Sequence, residues 1–430
     1  MNSTKDFKTK LFDSHRNLPS FLTVLPEVVE LLRRDSALGI LYINGTELKV
    51  IEEKYGSRLF DDIMINISRM LSNMRGSIIR KTDILTLTEV QGYSFIVFMS
   101  EARKDKPGVM LSKDDVEKAC ERVQSYLHST LFFELYNYLK GLPRISVGYS
   151  FCVYNPMIKP WRAVYNLIDE AKKIGDLQMA QLELKNRGRL QKVILEEQVS
   201  TVYQPILDLK TEQIMGYESL SRGPKHSEIE APVILFTLAE ETGLVFELDR
   251  LCRKRSIINA RGKKRGLKLF VNTLPNLIYD PDFEAKLFIK FLESNDIPIN
   301  DIVFEITERN AIEQFSNFRQ AISYYTDVGI TIAIDDVGAG YSSLEAIIEI
   351  KPAYVKIDAS VTRGVAESAG KQQMLKALHS LSQSVGAKTI AEGIETRSDF
   401  DTIQQIGIEY GQGYYICKPG PAFPEVHLHK

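Results

Sequence analysis

A chain of 430 residues, 44% hydrophobic and 26% charged, has the composition of a globular protein with room for two or three domains. Its 54 basic and 56 acidic residues give a formal charge of −2, so no global field favours a nucleic-acid polymer. Cys120, Cys152, Cys252 and Cys417 show no paired spacing, no apolar run has membrane-spanning length and the first twenty residues lack a signal-peptide core, so a reduced, cytoplasmic, membrane-free protein is expected.

The chain opens with apolar residues at helical spacing (Phe21, Val24, Leu25, Val28, Leu31, Leu32), a helical lead-in over residues 1–34. A strand is predicted from Ala37, a long helix over Leu48 to Met74, and strands near Ile84 to Thr88 and Tyr93 to Met99. A helix over Lys113 to Leu127, a strand over Pro143 to Val153 and a helix over Trp161 to Lys173 follow. Strand–helix–strand–strand–helix–strand is an α+β, ferredoxin-like order, and a domain over 35–180 is expected. Residues 181–198 are rich in Gln, Lys, Glu and Leu and read as a helical connector to a second domain over 199–430.

Within the first domain, LKVIEEKYG (Leu48 to Gly56), QGYSF (Gln91 to Phe95) and RISVGYS (Arg144 to Ser150) resemble stretches of the GGDEF family of diguanylate cyclases. That chemistry needs acids for Mg²⁺ and glycines beside phosphates. Here Tyr93 and Ser94 stand for the signature acids, Gln91 for its first glycine, Asn44 near the metal aspartate and Glu52 near the guanine-reading asparagine. A degenerate regulatory or dimerising domain is expected. Arg80 and Asp83 form an RxxD pair like that family's inhibitory product site, at a longer distance from the signature, and a surface ion pair explains them as well.

In the second half, strands are predicted at Val202 to Leu209, Ile214 to Arg222, Leu267 to Asn272, Ile302 to Thr307, Ile330 to Asp335, Tyr354 to Asp358 and Lys388 to Glu392. Each interval after the opening pair has room for one helix, the rhythm of a TIM-like (β/α)8 barrel. Nearly every strand ends in an acid, an amide or a lysine: Glu218, Asn272, Glu305, Asp335 with Asp336, Lys356 and Glu392. Strand ends converge on one mouth of a barrel, so these groups form a candidate two-metal site for phosphoryl transfer. Asp335 is expected to bridge the ions, Lys356 and Glu392 to serve the attacking water with Glu218 beside them, and Arg222 to bind a phosphate. Any one of these acids read alone is equally a helix cap or a turn residue.

The same residues lie in QPI, YESLSR, FVN, FEITER, DDVGAGYSS, VKID, AEGIE and GQGYYICKP, and from Gln204 to Pro419 the chain resembles the EAL family of cyclic di-GMP phosphodiesterases. The resemblance implies hydrolysis of cyclic di-GMP to linear pGpG with two Mg²⁺ or Mn²⁺ ions, held by Glu218, Asn272, Glu305, Asp335, Asp336 and Glu392. It implies that Glu308 steadies the loop after Asp336, that Glu395 and Gln412 support the metals and substrate, that Gln204 lines the substrate groove, and that the protein is a homodimer. Ser219, Gly223 and Val337 depart from the family pattern, and none of them removes a ligand. The alternative is a receptor that binds cyclic di-GMP without turnover. Receptors of this family typically lack metal ligands, which this chain retains.

Overall fold

The computed structural model describes residues 12–89, 92–99, 110–139, 145–274, 280, 284–307, 322–339, 343–421 and 423–426. They form two compact units, Met1–Gly188 and Arg189–Lys430.

In the first unit, α1 (Phe21–Asp35) leads into β1 (Ala37–Asn44), α2 (Lys49–Tyr55), α3 (Ser57–Asn73), β2 (Ile84–Leu87), β3 (Phe95–Met99), α4 (Lys113–Leu139), β4 (Ser146–Val153) and the 36-residue α5 (Pro160–Leu195). The antiparallel sheet runs β2-β3-β1-β4, the order of a ferredoxin-like fold. One face packs against α2, α3 and α4 through Ile51, Phe60, Met64, Val116 and Val123. The other packs against α1 and the start of α5 through Val28, Leu32, Val164 and Leu167. The expected lead-in helix is therefore an integral layer, with Val28 and Leu32 wholly buried.

Two sequence readings change here. The helix expected over Leu48 to Met74 is two helices, because Gly56 at φ +86° takes a conformation few side chains tolerate. Asp83 does not lie on the surface: it is 3% exposed and accepts the Arg80 backbone amide at 2.7 Å within a turn.

The second unit contains β5 (Ser200–Asp208), β6 (Gln213–Arg222), α6 (Pro232–Thr242), α7 (Val245–Asn259), β7 (Lys268–Asn272), α8 (Ala285–Ser294), β8 (Ile302–Thr307), β9 (Thr331–Val337), α9 (Ser343–Ile350), β10 (Tyr354–Ile357), α10 (Ala359–Thr362), α11 (Ala369–Ser384), β11 (Lys388–Ala391), α12 (Arg397–Ile406) and β12 (Tyr410–Gly411). The eight strands close a barrel in the order β8-β9-β10-β11-β12-β5-β6-β7. Neighbours are parallel except β5, which runs antiparallel to both β6 and β12. Ile206, Phe270, Val303, Ala333 and Ile390 fill the barrel interior, while alternate residues such as Phe304, Ile332 and Ile334 pack outward beneath the helices. Leu190 and Val193 of the last turns of α5 are buried against α6 and α7.

Candidate active site

The parallel register brings the strand-end groups into one layer. Glu218 on β6 lies opposite Phe270 on β7, and Asn272 at the end of β7 lies opposite Glu305 on β8. Thr307 on β8 pairs with Asp335 on β9, Lys356 on β10 pairs with Ile390 on β11, and Glu392 follows the last residue of β11. Strict alternation would turn Asp335 and Asp336 to opposite faces. Instead the register slips between Ile334 and Val337, so that both aspartates face the single residue Lys356, and Asp336 takes φ +60°. This is a β-bulge, and it brings a second carboxylate to the same rim.

Lys356 is the centre of the cluster. Its Nζ lies 2.7 Å from Glu392, 2.8 Å from Glu305, 3.2 Å from Asp335 and 3.4 Å from Glu218, and the side chain is wholly buried. Asp335, expected to bridge the ions, is one of the four carboxylates around it. Burial alone disfavours the ammonium, yet Asp335, Glu218 and Glu305 outweigh that cost and hold its pKa well above the ordinary lysine value. Burial raises Glu305 and Glu392 well above the usual carboxylate range against the pull of Lys356. Asp336 is pushed up to about 6, by burial first and by Asp335 second.

Gln412, 5% exposed, stitches two of the acids together. Its amide nitrogen donates to Glu218 at 2.6 Å and to Glu392 at 2.8 Å. Asn272 donates to Glu305 at 3.2 Å. Two supports carry no motif of their own: the Thr362 hydroxyl donates to the Glu392 carbonyl, and the Ser219 hydroxyl donates to the Phe270 carbonyl at 2.8 Å.

Two carboxylate triads result, Glu218–Glu305–Asp335 and Asp335–Asp336–Glu392, each with ligand atoms within 4.8 Å of one another and with Asp335 common to both. These are hard oxygen donors in excess of the single lysine charge, a set that fits divalent Mg²⁺ or Mn²⁺.

The remaining expected residues divide. Gln204 is mostly buried beside Glu218 in the strand register and donates to the Cys417 carbonyl at 3.1 Å. Arg222, at the end of β6, donates to the Ser221 carbonyl at 2.9 Å. Glu395 does not join the cluster, because Arg363 captures it at 2.6 Å on the surface. Glu308 lies outside the described residues.

The EAL domain model matches residues 187–419, more than half of the chain. The curated protein "Cyclic di-GMP phosphodiesterase PA2567" of Pseudomonas aeruginosa is 31% identical over 229 residues, which cover 52% of this chain and 39% of that protein. "Bifunctional diguanylate cyclase/cyclic di-GMP phosphodiesterase MucR" of the same organism is 23% identical over 417 residues, 92% of this chain and 57% of that one. This chain thus spans less than two thirds of either relative. The Xanthomonas citri FimX EAL domain, solved in complex with c-diGMP, superposes at TM-score 0.52 with 22% identity, covering 58% of this chain and 98% of that one, a likeness of fold. The chain belongs to the EAL-domain family.

Proposed function

We propose that this protein hydrolyses cyclic di-GMP to linear pGpG at the barrel mouth, with two divalent cations bound there. The observation that carries this reading is the pair of carboxylate triads sharing Asp335. The printed activity of the relative PA2567 and the ligand of the FimX domain point to the same substrate class.

In this reading Glu218, Asn272, Glu305, Asp335, Asp336 and Glu392 hold the cations, which supply the charge that acidifies an attacking water and clamps the phosphodiester. Lys356 keeps the acids gathered and offsets charge that builds on the phosphoryl oxygens. Glu392, whose carboxylate lies against Lys356 and Gln412, accepts the proton of the water. Water adds to phosphorus, the bond to the ribose 3′ oxygen breaks, and that oxygen leaves as the 3′ hydroxyl, taking up the proton that Glu392 accepted. Gln204 and Arg222 flank the Glu218 end of the mouth and bind the rest of the dinucleotide.

The first unit serves this enzyme as a non-cyclising regulatory module. The Tyr93 hydroxyl donates to Glu52 at 2.8 Å and Ser57 donates to the same carboxylate at 2.9 Å, so groups standing where nucleotide and metal contacts belong are engaged with each other. We further propose a cytoplasmic homodimer. The buried thiols Cys120 and Cys252, each pushed up to about 12 chiefly by burial, are those of a reduced protein. Leu344 and Ile348 of α9, 55% and 49% exposed, offer an apolar face next to the loop after Asp336. Among the described residues, no helix is long and apolar enough to cross a membrane.

The test is to incubate purified protein with cyclic di-GMP and Mg²⁺ or Mn²⁺, with and without a chelator, and to separate the products by chromatography. Metal-dependent pGpG formation is expected, and intact substrate bound at one per chain would instead describe a receptor.

A further inference from the structure

The barrel unit contains a cavity of about 470 Å³ on its outer wall, between α7, α8 and the residues that follow α5. One stripe of α7 faces it: Glu247, Arg250, Leu251, Lys254 and Ile257 recur at three- and four-residue spacing. Leu287, Phe288 and Phe291 of α8 form the opposite wall. The cavity opens to solvent, and Leu287 at its rim is left 49% exposed.

The wall is held by ionic groups that contribute little net stability when buried. Arg253, 4% exposed, bridges Asp249 at 2.5 Å and Asp280 at 3.1 Å, and Arg250 reaches the same Asp280 at 3.6 Å. Lys254 is held by Glu197 at 2.6 Å. The cavity therefore presents three acids (Glu197, Glu247, Asp280) and three bases (Arg250, Arg253, Lys254), whose charges cancel. An anionic ligand would have to displace a carboxylate from one of these bases. An uncharged aromatic molecule would not: its rings would lie on Leu251, Ile257, Phe288 and Phe291. The size suits a drug-sized molecule.

Both anchors of the wall are tied to elements that matter elsewhere. Glu197, at φ +51°, directly follows the last turn of α5 and is gripped by Lys254 and Arg255 of α7. Asp280 follows Asn272, a proposed metal ligand, by eight residues. We propose that this cavity is a second ligand site, which takes an uncharged aromatic small molecule, and that its occupancy alters turnover at the barrel mouth. The effect on turnover rests on the phosphodiesterase reading; the binding does not.

The test uses the full chain and two matched probe sets: quinoline, carbazole and lumiflavin, which are uncharged, and naphthalene-2-sulfonate and flavin mononucleotide, which are anionic. Calorimetric titration is expected to show at least one uncharged probe binding at one per chain, weakened about tenfold or more in Leu287→Lys and unchanged in Leu184→Lys, a substitution at an exposed leucine away from the cavity. That probe at saturation changes the rate of cyclic di-GMP hydrolysis in the natural chain and not in Leu287→Lys. Failure of every uncharged probe, preference for the anionic probes, or undiminished binding in Leu287→Lys would overturn the site. Binding with no change in rate would overturn the coupling. A chain that hydrolyses nothing with or without probe refutes the phosphodiesterase reading and leaves binding to decide the site.

Discussion

At the residue scale, the protein gathers four carboxylates around one buried ammonium, an arrangement stable only while every partner is present. Lys356→Met removes the one positive charge and leaves buried acids uncompensated, at a cost of about 3–5 kcal/mol. The variant is expected to melt lower without metal, to regain part of the difference in Mn²⁺, and to lose turnover; thermal unfolding with and without the ion checks this. Glu218→Gln keeps shape but removes a charge from one of the two triads, and turnover should fall to background by the chromatographic assay.

Protonation follows from the same crowding. Asp336 folds with its pKa near 6, above its ordinary value, and Glu305 and Glu392 are raised as well. Raised carboxylates bind protons more tightly in the folded state, so in the metal-free protein this contribution to stability is full at low pH and is lost as pH rises through about 6. Cations need those acids ionised. Mn²⁺ affinity should therefore weaken below about pH 6, with proton release on binding, which titration in buffers of different ionisation enthalpy measures. The sequence made the acids legible because each lies in or just beyond a predicted strand, within a few residues of its end. It did not reveal that Lys356 is the hub, since a lysine's reach across a mouth depends on register, nor that Arg363 draws Glu395 to the surface.

At the element scale, the decisive feature is the bulge in β9. Asp336 sits at φ +60°, which aspartate and asparagine tolerate and a β-branched residue does not. Asp336→Asn is expected to fold with natural stability while binding metal more weakly; Asp336→Val should lose about 1–2 kcal/mol, read as a lower denaturation midpoint. Alternation in TIAIDDV identified the strand, but a one-residue slip has no composition signal, so the shared direction of the two aspartates was hidden. Ser219 is the converse case. Its family counterpart is alanine, and the structure gives its hydroxyl a backbone partner in β7. Ser219→Ala should cost about 1 kcal/mol and keep turnover, because Glu218 retains Lys356 and Gln412. In the first unit Gly148 meets a similar packing limit: a Cβ there would lie 1.8 Å from the Ala171 carbonyl. Gly148→Ala should destabilise that unit by about 1–3 kcal/mol, visible in its own melting transition.

At the scale of the whole molecule, every described group of the candidate site, and the cavity on the outer wall, belongs to residues 189–430. The barrel has its own core, including Leu190 and Val193 from the last turns of α5. A 189–430 fragment is expected to unfold in one cooperative transition and to hydrolyse cyclic di-GMP, with a rate that differs from the full chain if the first unit is regulatory. The barrel was legible in the sequence because its motifs recur at βα intervals and most of them fall on its strands. The first unit was legible as an order of strands, whereas its layers were not, since the packing of α1 and the break at Gly56 follow from contacts distant in sequence.

Hydrolysis in water enriched in ¹⁸O tests the central claim most directly, because the proposed reaction transfers one water oxygen to one phosphorus. Mass spectrometry of a single turnover in Mg²⁺ should find pGpG carrying one ¹⁸O on its terminal phosphate, and none formed in chelator. Cyclic di-GMP recovered intact, or a linear product without the label, would contradict water attack at this cluster.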